Sequence, residues 1–182
     1  MEIREYFCPT SPAEWRKWLK KNGTLKREIW LLFPHKCTGR QSVSYFEALE
    51  EALCFGWIDG MVKRYDGATL SQRFSPRAPK SSWSEVNKQH ARLLIESGKM
   101  TPAGLAVLPD LNTDNYVMAQ DILEALKGDE VVWENFSAFP AYYRNIRVAA
   151  IEGWRRQPER FQRALDYFME QTRCNRRYGR FR

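Results

Sequence analysis

The chain has 182 residues, which suits one domain or one domain with a helical addition. Hydrophobic residues make up 43% and aromatic residues 14%, so a folded core is expected and a disordered chain is excluded. No stretch reaches the ~20 apolar residues of a membrane-spanning helix, and the first residues lack the apolar run of a secretory signal. Cys8, Cys37, Cys54 and Cys174 are widely spaced, which predicts reduced thiols in a cytoplasmic protein.

The net charge of +7 is distributed unevenly along the chain. Residues 1–138 contain 18 basic and 18 acidic groups, whereas residues 139–182 contain 11 arginines and four acids. Arginine pairs readily with phosphate and carboxylate groups. The C-terminal region therefore predicts either an anionic partner or a solvated tail that keeps the protein soluble.

Three Ser-x-x-Glu capping boxes predict helix starts in the first half of the chain. The serine that opens each box and the glycine that ends each predicted helix are Ser11 and Gly23, Ser44 and Gly56, and Ser82 and Gly98. In the second box and its helix, Leu49 and Leu53 fall on one face, as in an amphipathic helix.

Strand patterns lie between the predicted helices. Glu28–Pro34 is a short apolar run typical of a buried strand, and Ile3–Phe7 predicts an edge strand. Trp57–Tyr65 and Ala68–Ser75 flank Asp66-Gly67, a strong hairpin signal. The order β-α-β-α-β-β-α favours helices packed over a small sheet.

The pattern changes after a short helix predicted at Thr101-Pro102. Leu108–Tyr116 is rich in Pro, Asn and Asp and predicts a linker. The helices predicted beyond it are 119–127, 129–137, 140–156 and 158–172. We therefore predict an α+β fold: a small, mostly antiparallel sheet with covering helices in a core domain at 1–110, followed by an all-helical C-terminal module at 118–182 with an arginine-rich tail.

Several stretches together resemble the YdeI/OmpD-associated family of bacteriocin-protection proteins. The matching stretches are Glu14–Leu19, Glu50–Gly60 (EEALCFGWIDG), Arg73–Arg77 (RFSPR), Ser82–Asn87 and Leu94–Gly104 (LIESGKMTPAG), together with the C-terminal helices. The resemblance implies a bacterial cytoplasmic protein linked to tolerance of bacteriocins or cationic antimicrobial peptides, and it implies no particular reaction. Where the family's C-terminal module has a lysine-rich stretch followed by Glu-Thr-Arg, this chain has Arg155–Arg160 (RRQPER).

A ligand site is predicted where the hairpin meets the following helix. In the hairpin, residues whose numbers sum to about 133 face each other, which places Asp59 opposite Arg73 or Phe74. Two arginines, several hydroxyl groups and the N-terminus of a helix would form an anion pocket with tryptophan walls. The predicted ligand-binding residues are Trp57, Asp59, Arg73, Arg77, Ser82, Trp83 and Asn87. The competing interpretation is an ion pair, a helix cap and core tryptophans.

Three functions remain open from the residues. The first is a non-enzymatic stress or resistance factor that binds a small anionic ligand, with Asp59 orienting one arginine. The second is an enzyme acting on a small anionic substrate, with Asp59 as general base. The third is a nucleic-acid binder that uses Arg155, Arg156, Arg176 and Arg177, with aromatic rings available for stacking.

Other kinds of chemistry have little support in the sequence. The chain has no G-x-S-x-G nucleophile elbow, phosphate-binding glycine loop or other cofactor motif. Its two histidines, His35 and His90, are far apart, so no metal site or cofactor is predicted. His35 and Cys37 share one loop, but an ordinary loop explains them better than a catalytic pair.

Overall fold

The fold is described from a computed structural model over residues 5–78 and 81–179. Those residues form two compact units, one from residues up to 82 and 90–109, the other from 83–89 and residues 110 onward. The strands are β1 Tyr6–Phe7, β2 Ile29–Pro34, β3 Trp57–Arg64 and β4 Thr69–Pro76. The helices are α1 Pro12–Asn22, α2 Tyr45–Cys54, α3 Glu85–Glu96, α4 Pro102–Leu105, α5 Gln120–Lys127, α6 Glu130–Ala138, α7 Ala141–Glu152 and α8 Pro158–Arg173.

The first unit is built on a four-stranded sheet in the order β1-β2-β4-β3. β1 runs parallel to β2, and the other two pairings are antiparallel. The predicted α+β class, with a mostly antiparallel sheet followed by helices, is therefore confirmed. Ile3 and Arg4, in the predicted edge strand, lie outside the described residues. The division into domains at 1–110 and 118–182 remains a prediction.

The hairpin of β3 and β4 follows the predicted register next to its open ends. Asp59 lies opposite Phe74, one of the two predicted partners, and Trp57 lies opposite Pro76. The register shifts by one residue between Asp59 and Val62, so that Val62 lies opposite Gln72. This irregularity at Gly60 and Met61 is a β-bulge, which the alternation of residue types did not predict.

One face of the sheet carries the core of the first unit. Paired residues of neighbouring strands point to the same side, so Ile29 and Phe74 share a face, and Leu31 follows two residues along β2. These three side chains are fully buried, together with Trp15 and other residues of α1 and α2. The hydrophobic face of the sheet is thus covered by helices, as the alternating sequence pattern requires.

Of the predicted capping boxes, the one at the start of α2 forms and the one at the start of α3 does not. Ser44 and Glu47 form the complete reciprocal box at the start of α2. The box predicted at Ser82 is wrong, because α3 begins at Glu85 and the amide of Asn87 donates to Ser84 Oγ at 3.2 Å. A serine immediately before the helix is better placed to reach the third amide than one three residues before it.

The capping serine of α3 can be tested by two matched substitutions. Ser84→Ala is expected to lower the free energy of unfolding by about 1 kcal/mol, because it removes an N-cap acceptor. Ser82→Ala is expected to change it by less than about 0.5 kcal/mol, as for an exposed surface position. Urea denaturation of both variants measures the difference. A larger loss of unfolding free energy in Ser82→Ala would support Ser82 as the capping residue of α3.

Helices, including a 3₁₀ turn at Thr113–Asn115, are the only regular secondary structure among the described residues of the second unit. Its core is a separate cluster that includes Ile122, Phe136, Tyr143 and Phe168. The predicted helix at 140–156 ends earlier, at Glu152, and a turn fills the residues before Pro158. Within residues 5–78 and 81–179, no helix combines the length and hydropathy needed to cross a bilayer.

Candidate functional site

A cavity of about 580 Å³ lies against the core-bearing face of the sheet, beyond the part that the helices cover. We call it the sheet-face cavity. Its lining consists of Phe33, Pro34, Lys36, Arg40, Gln41, Ser42, Val43, Ser44, Tyr45, Val62, Leu70 and Gln72. Cavities of roughly 300–1,000 Å³ with mainly apolar walls are typical of small-molecule sites.

The floor of the sheet-face cavity continues the alternation that builds the core. Ile29 and Leu31 point into the core, and Phe33, two residues further along β2, reaches the cavity instead. Leu70 lies opposite Phe33 on β4 and is 41% exposed, while Val62 on β3 is 52% exposed. Large apolar side chains are therefore open to solvent at the place where a ligand would lie.

The wall opposite the floor comes from residues 36–45, which connect β2 to α2. The segment begins with a 3₁₀ turn at Lys36–Thr38 and reverses at Gly39, whose φ of 66° is in the left-handed region that favours glycine. It ends at Ser44, the N-cap of α2. The conformation of this segment is therefore fixed at one end by the 3₁₀ turn and at the other by the N-cap of α2.

Two polar side chains of the lining are fixed by one carboxylate behind them. Asp59 Oδ2 accepts hydrogen bonds from Tyr45 Oη at 3.0 Å and from Gln72 Nε2 at 2.8 Å. Gln72 is only 8% exposed, so this bond satisfies a donor that would otherwise be costly to bury. Asp59 therefore positions lining residues without itself lining the cavity.

The charged groups of the lining are both cationic. Lys36 and Arg40 are exposed residues of the lining, and none of the described residues that line the cavity is an aspartate or glutamate. The Tyr45 hydroxyl and the Gln72 amide already donate to Asp59, so Lys36 and Arg40 are the cations available to a negatively charged group. The cavity thus combines an apolar floor with a positive rim.

Arg73 and Arg77 do not form the predicted anion pocket together. Arg73 lies opposite Trp30, on the side of the sheet away from Phe74, and its Nε donates to Glu28 Oε2 at 2.6 Å. Of the two partners predicted for Asp59, the structure therefore shows Phe74, and Arg73 forms its ion pair with Glu28 instead. The cause is strand alternation, since neighbouring residues of β4 point to opposite faces.

Arg77 is the predicted arginine that stays near Asp59. It is 8% exposed, and its Nη1 donates to Ser81 Oγ at 3.0 Å and to the carbonyl oxygen of Ser82 at 3.2 Å. Burial lowers the pKa of Arg77, and the charge of Asp59 partly offsets that effect. These bonds tie Arg77 to its own chain segment.

The predicted tryptophan walls differ in their surroundings. Trp57 is 1% exposed, and its Nε1 donates to the carbonyl oxygen of Gly23 at 3.1 Å. Its ring is thus closed to a ligand and serves as core. Trp83 and Asn87 belong to the second unit, where the Asn87 amide takes part in the cap of α3.

The arginines proposed for nucleic acid fall into two groups. Arg155 forms ion pairs with Asp121 and Glu152, and its guanidinium lies 4.2 Å from the ring centroid of Phe161. Arg155 is exposed, but its guanidinium is therefore already engaged by neighbouring residues of the second unit. Arg156, Arg176 and Arg177 are also exposed.

Tyr116 has the most strongly displaced pKa of the second unit's tyrosines. Burial, followed by the charges of Glu152 and Glu85, raises the pKa of Tyr116 to about 12. Because the phenol ionises more easily in the unfolded chain, this contribution to stability is complete below pH ~10 and is lost as the pH rises towards 12. Absorbance at 295 nm should show that Tyr116→Phe removes one late-titrating phenol. Loss of a phenol titrating near pH 10 would contradict the prediction.

Sequence reasoning missed the sheet-face cavity, although signals for it exist. The alternation of Ile29, Leu31 and Phe33 extends the core face beyond the predicted helices. Gln72 interrupts the apolar face between Leu70 and Phe74. A polar side chain on a buried face indicates a hydrogen-bond partner nearby. Which loop covers that place depends on contacts distant in sequence.

Two family models match the chain. Residues 7–107 match the family described as Domain of unknown function (DUF8412), and because this match covers more than half of the chain, the chain belongs to that family. Residues 115–177 match the family described as Bacteriocin-protection, YdeI or OmpD-Associated, which confirms the resemblance seen in the sequence. Neither a curated protein nor a solved structure matches the chain.

Proposed function

We propose that this member of the DUF8412 family is a non-catalytic tolerance factor that binds a small amphipathic anion in the sheet-face cavity. The observation that carries the proposal is the combination of an apolar floor, formed by Phe33, Val62 and Leu70, with a rim of Lys36 and Arg40. The match of residues 115–177 to bacteriocin-protection proteins supports a role in tolerance. Four free cysteines support a cytoplasmic location for that role.

The charge of the ligand follows from the rim. Lys36 and Arg40 have no acidic counterpart in the lining over residues 5–78 and 81–179, so an anionic head group would be attracted and a cationic one repelled. Arg40 can bind a carboxylate, sulfate or phosphate in a bidentate manner. Salt in the solution weakens such exposed interactions, so the affinity should fall as the ionic strength rises.

The apolar part of the ligand follows from the floor. Burying one methylene group contributes about 0.8 kcal/mol, which corresponds to roughly a fourfold gain in affinity per carbon. A series of straight-chain carboxylates should therefore bind more tightly with each added carbon until the cavity is filled. Binding that does not depend on chain length would mean that the floor makes no contact.

The head-group requirement can be tested with three ligands that share one tail. Octanoate, octanol and octylammonium are titrated calorimetrically into the full chain below their micelle-forming concentrations. Octanoate is expected to bind at least tenfold more tightly than octylammonium. Arg40→Gln should reduce the affinity for octanoate about tenfold, whereas Arg27→Gln, an exposed arginine outside the lining, should not.

Two results would overturn the proposal. One is equal affinity for the anionic, neutral and cationic ligands, which would leave only a hydrophobic surface. The other is an equal effect of Arg40→Gln and Arg27→Gln, which would assign the attraction to net charge.

The enzymatic alternative has narrower support. Asp59, its proposed general base, is not part of the lining and already accepts two hydrogen bonds through Oδ2. A general base must reach the proton that it removes, directly or through one water. The geometry therefore favours a positioning role for Asp59. For nucleic acid, the exposed Arg156, Arg176 and Arg177 provide charge, but no single contact favours that function.

A further inference from the structure

A second cavity, of about 230 Å³, lies within the helical unit. It is bounded by the 3₁₀ turn Thr113–Asn115, by α6 through Phe136 and by the first turn of α7. We call it the module cavity, since most of its lining lies within the match to bacteriocin-protection proteins. Nothing in the function proposed for the sheet-face cavity depends on it.

Arg144 is the cation of the module cavity, and its bonding is incomplete. Its guanidinium lies 5.5 Å from the ring centroid of Phe136, while its Nε is buried without a hydrogen-bond partner among the described residues. Within the same part of the chain, Arg144 forms no ion pair. A buried polar group without a partner is costly and marks either strain or a site for a ligand.

Three other arginines of this unit have partners that Arg144 lacks among the described residues. Arg155 and Arg173 form ion pairs with aspartates, Asp121 and Asp129. The Nε of Arg147 is also buried without a hydrogen-bond partner among the described residues, but its guanidinium lies near the rings of both Tyr143 and Tyr178, at 5.6 and 5.1 Å from their centroids. Two cation–π contacts explain Arg147 as part of the packing.

Neighbouring groups add further donors to the module cavity. Tyr116 lines it with a phenol, which is protonated at neutral pH and can donate a hydrogen bond. Ala141, also in the lining, begins α7, and Pro140 before it provides no side-chain cap. The first amides of that helix therefore add a positive dipole end beside Arg144.

The structure around these groups is held in place by Asn145. This side chain is 7% exposed, and its Nδ2 donates to the carbonyl oxygen of Thr113 at 2.8 Å. The bond fastens the 3₁₀ turn to α7, so the two sides of the module cavity are fixed before any ligand binds. A preformed site loses less entropy when it binds.

The negative charges near the cavity limit the ligand. Glu85 and Glu152, which act on Tyr116, are paired with Lys88 and Arg155. Asp114, exposed at the lining, is the one acidic residue among the described residues that bound the cavity. One arginine facing one aspartate suits a singly charged group better than a dianion, which Asp114 would repel more strongly.

We infer that the module cavity binds a small organic monocarboxylate, with Arg144 holding the carboxylate and Met118 and Phe136 contacting a short hydrocarbon part. Arginine and carboxylate match in geometry and form charge-assisted hydrogen bonds. The small volume excludes large ligands, and the exposed acid excludes phosphate as the preferred anion.

The test uses thermal unfolding of the full chain with acetate, propionate, butyrate and phosphate at equal ionic strength. A carboxylate that binds the folded state should raise the melting temperature in proportion to the logarithm of its excess concentration. The variant is Arg144→Met, and the matched control is Arg156→Met, which changes an exposed arginine outside the lining. Leu70→Asp separates the two cavities, because it alters only the sheet-face cavity.

We expect the wild type, Arg156→Met and Leu70→Asp to respond to the short carboxylates, and Arg144→Met to bind them at least tenfold more weakly. Without ligand, Arg144→Met should melt no lower than the wild type, because it removes an unsatisfied buried group. An equal response of Arg144→Met, or a stronger response to phosphate, would overturn the inference. So would a lower melting temperature of unliganded Arg144→Met, which would make Arg144 a structural residue. If Arg144→Met does not fold, Tyr116→Phe is tested instead. An unchanged affinity of Tyr116→Phe for the short carboxylates would then count against the inference.

Discussion

Trp15→Ala is expected to lower the free energy of unfolding by about 3–5 kcal/mol. Trp15 is fully buried and packs against the rings of Phe7, Trp18 and Phe74, at centroid distances of 6.3, 5.1 and 5.8 Å. Its Nε1 also donates to the carbonyl oxygen of Ala48 at 3.0 Å, so the substitution leaves a void and removes a buried hydrogen bond. Urea denaturation should show a lower midpoint with an unchanged slope.

The control for Trp15 is another tryptophan, Trp154, in the second unit. It is 40% exposed, and its ring packs under the guanidinium of Arg160 at 5.1 Å. Trp154→Ala is expected to cost about 1–2 kcal/mol, less than Trp15→Ala, because part of its ring is already in solvent and its cation–π contact is exposed. Similar losses for the two variants would contradict the assignment of Trp15 to the core.

Leu70→Asp is expected to abolish measurable binding of octanoate to the sheet-face cavity. The substitution removes part of the apolar floor and places a negative charge beside the position proposed for an anion. Loss of roughly two methylenes of contact alone weakens binding by about 16-fold, and repulsion adds to this. Calorimetric titration of octanoate measures the loss.

The stability of Leu70→Asp is the internal control of that experiment. Leu70 is 41% exposed and lies outside the buried cluster of the first unit, so the fold should tolerate the change within about 1 kcal/mol. Leu70→Asn, which has a similar size and no charge, separates repulsion from lost contact. Wild-type affinity in Leu70→Asp would place octanoate elsewhere on the protein.

The sequence predicted the local structure of the first unit well where short-range chemistry decides it. The Asp66-Gly67 turn specified the β3–β4 hairpin, and the Ser44–Glu47 box specified the start of α2. Both signals act over a few residues, so they need no knowledge of the tertiary fold. The bulge after Asp59 was not predicted, because an extra residue in a strand has no characteristic sequence pattern.

The site was harder to predict than the fold. The expected anion pocket depended on where side chains of β4 point, and strand alternation sends Arg73 to the face with Trp30, where it pairs with Glu28. Forty-five positions separate Glu28 from Arg73, so short-range patterns give no sign of the pair. The wall of the sheet-face cavity likewise comes from residues 36–45, whose position over β4 is set by tertiary contacts.

Amide chemical shifts of the full chain during a titration with octanoate test the central claim most directly. We predict that the largest changes cluster in residues 33–45 and at Val62, Leu70 and Gln72, saturate together, and disappear in Leu70→Asp. Changes scattered over the surface, or concentrated in the arginine-rich C-terminal region, would contradict a ligand site on the face of the sheet.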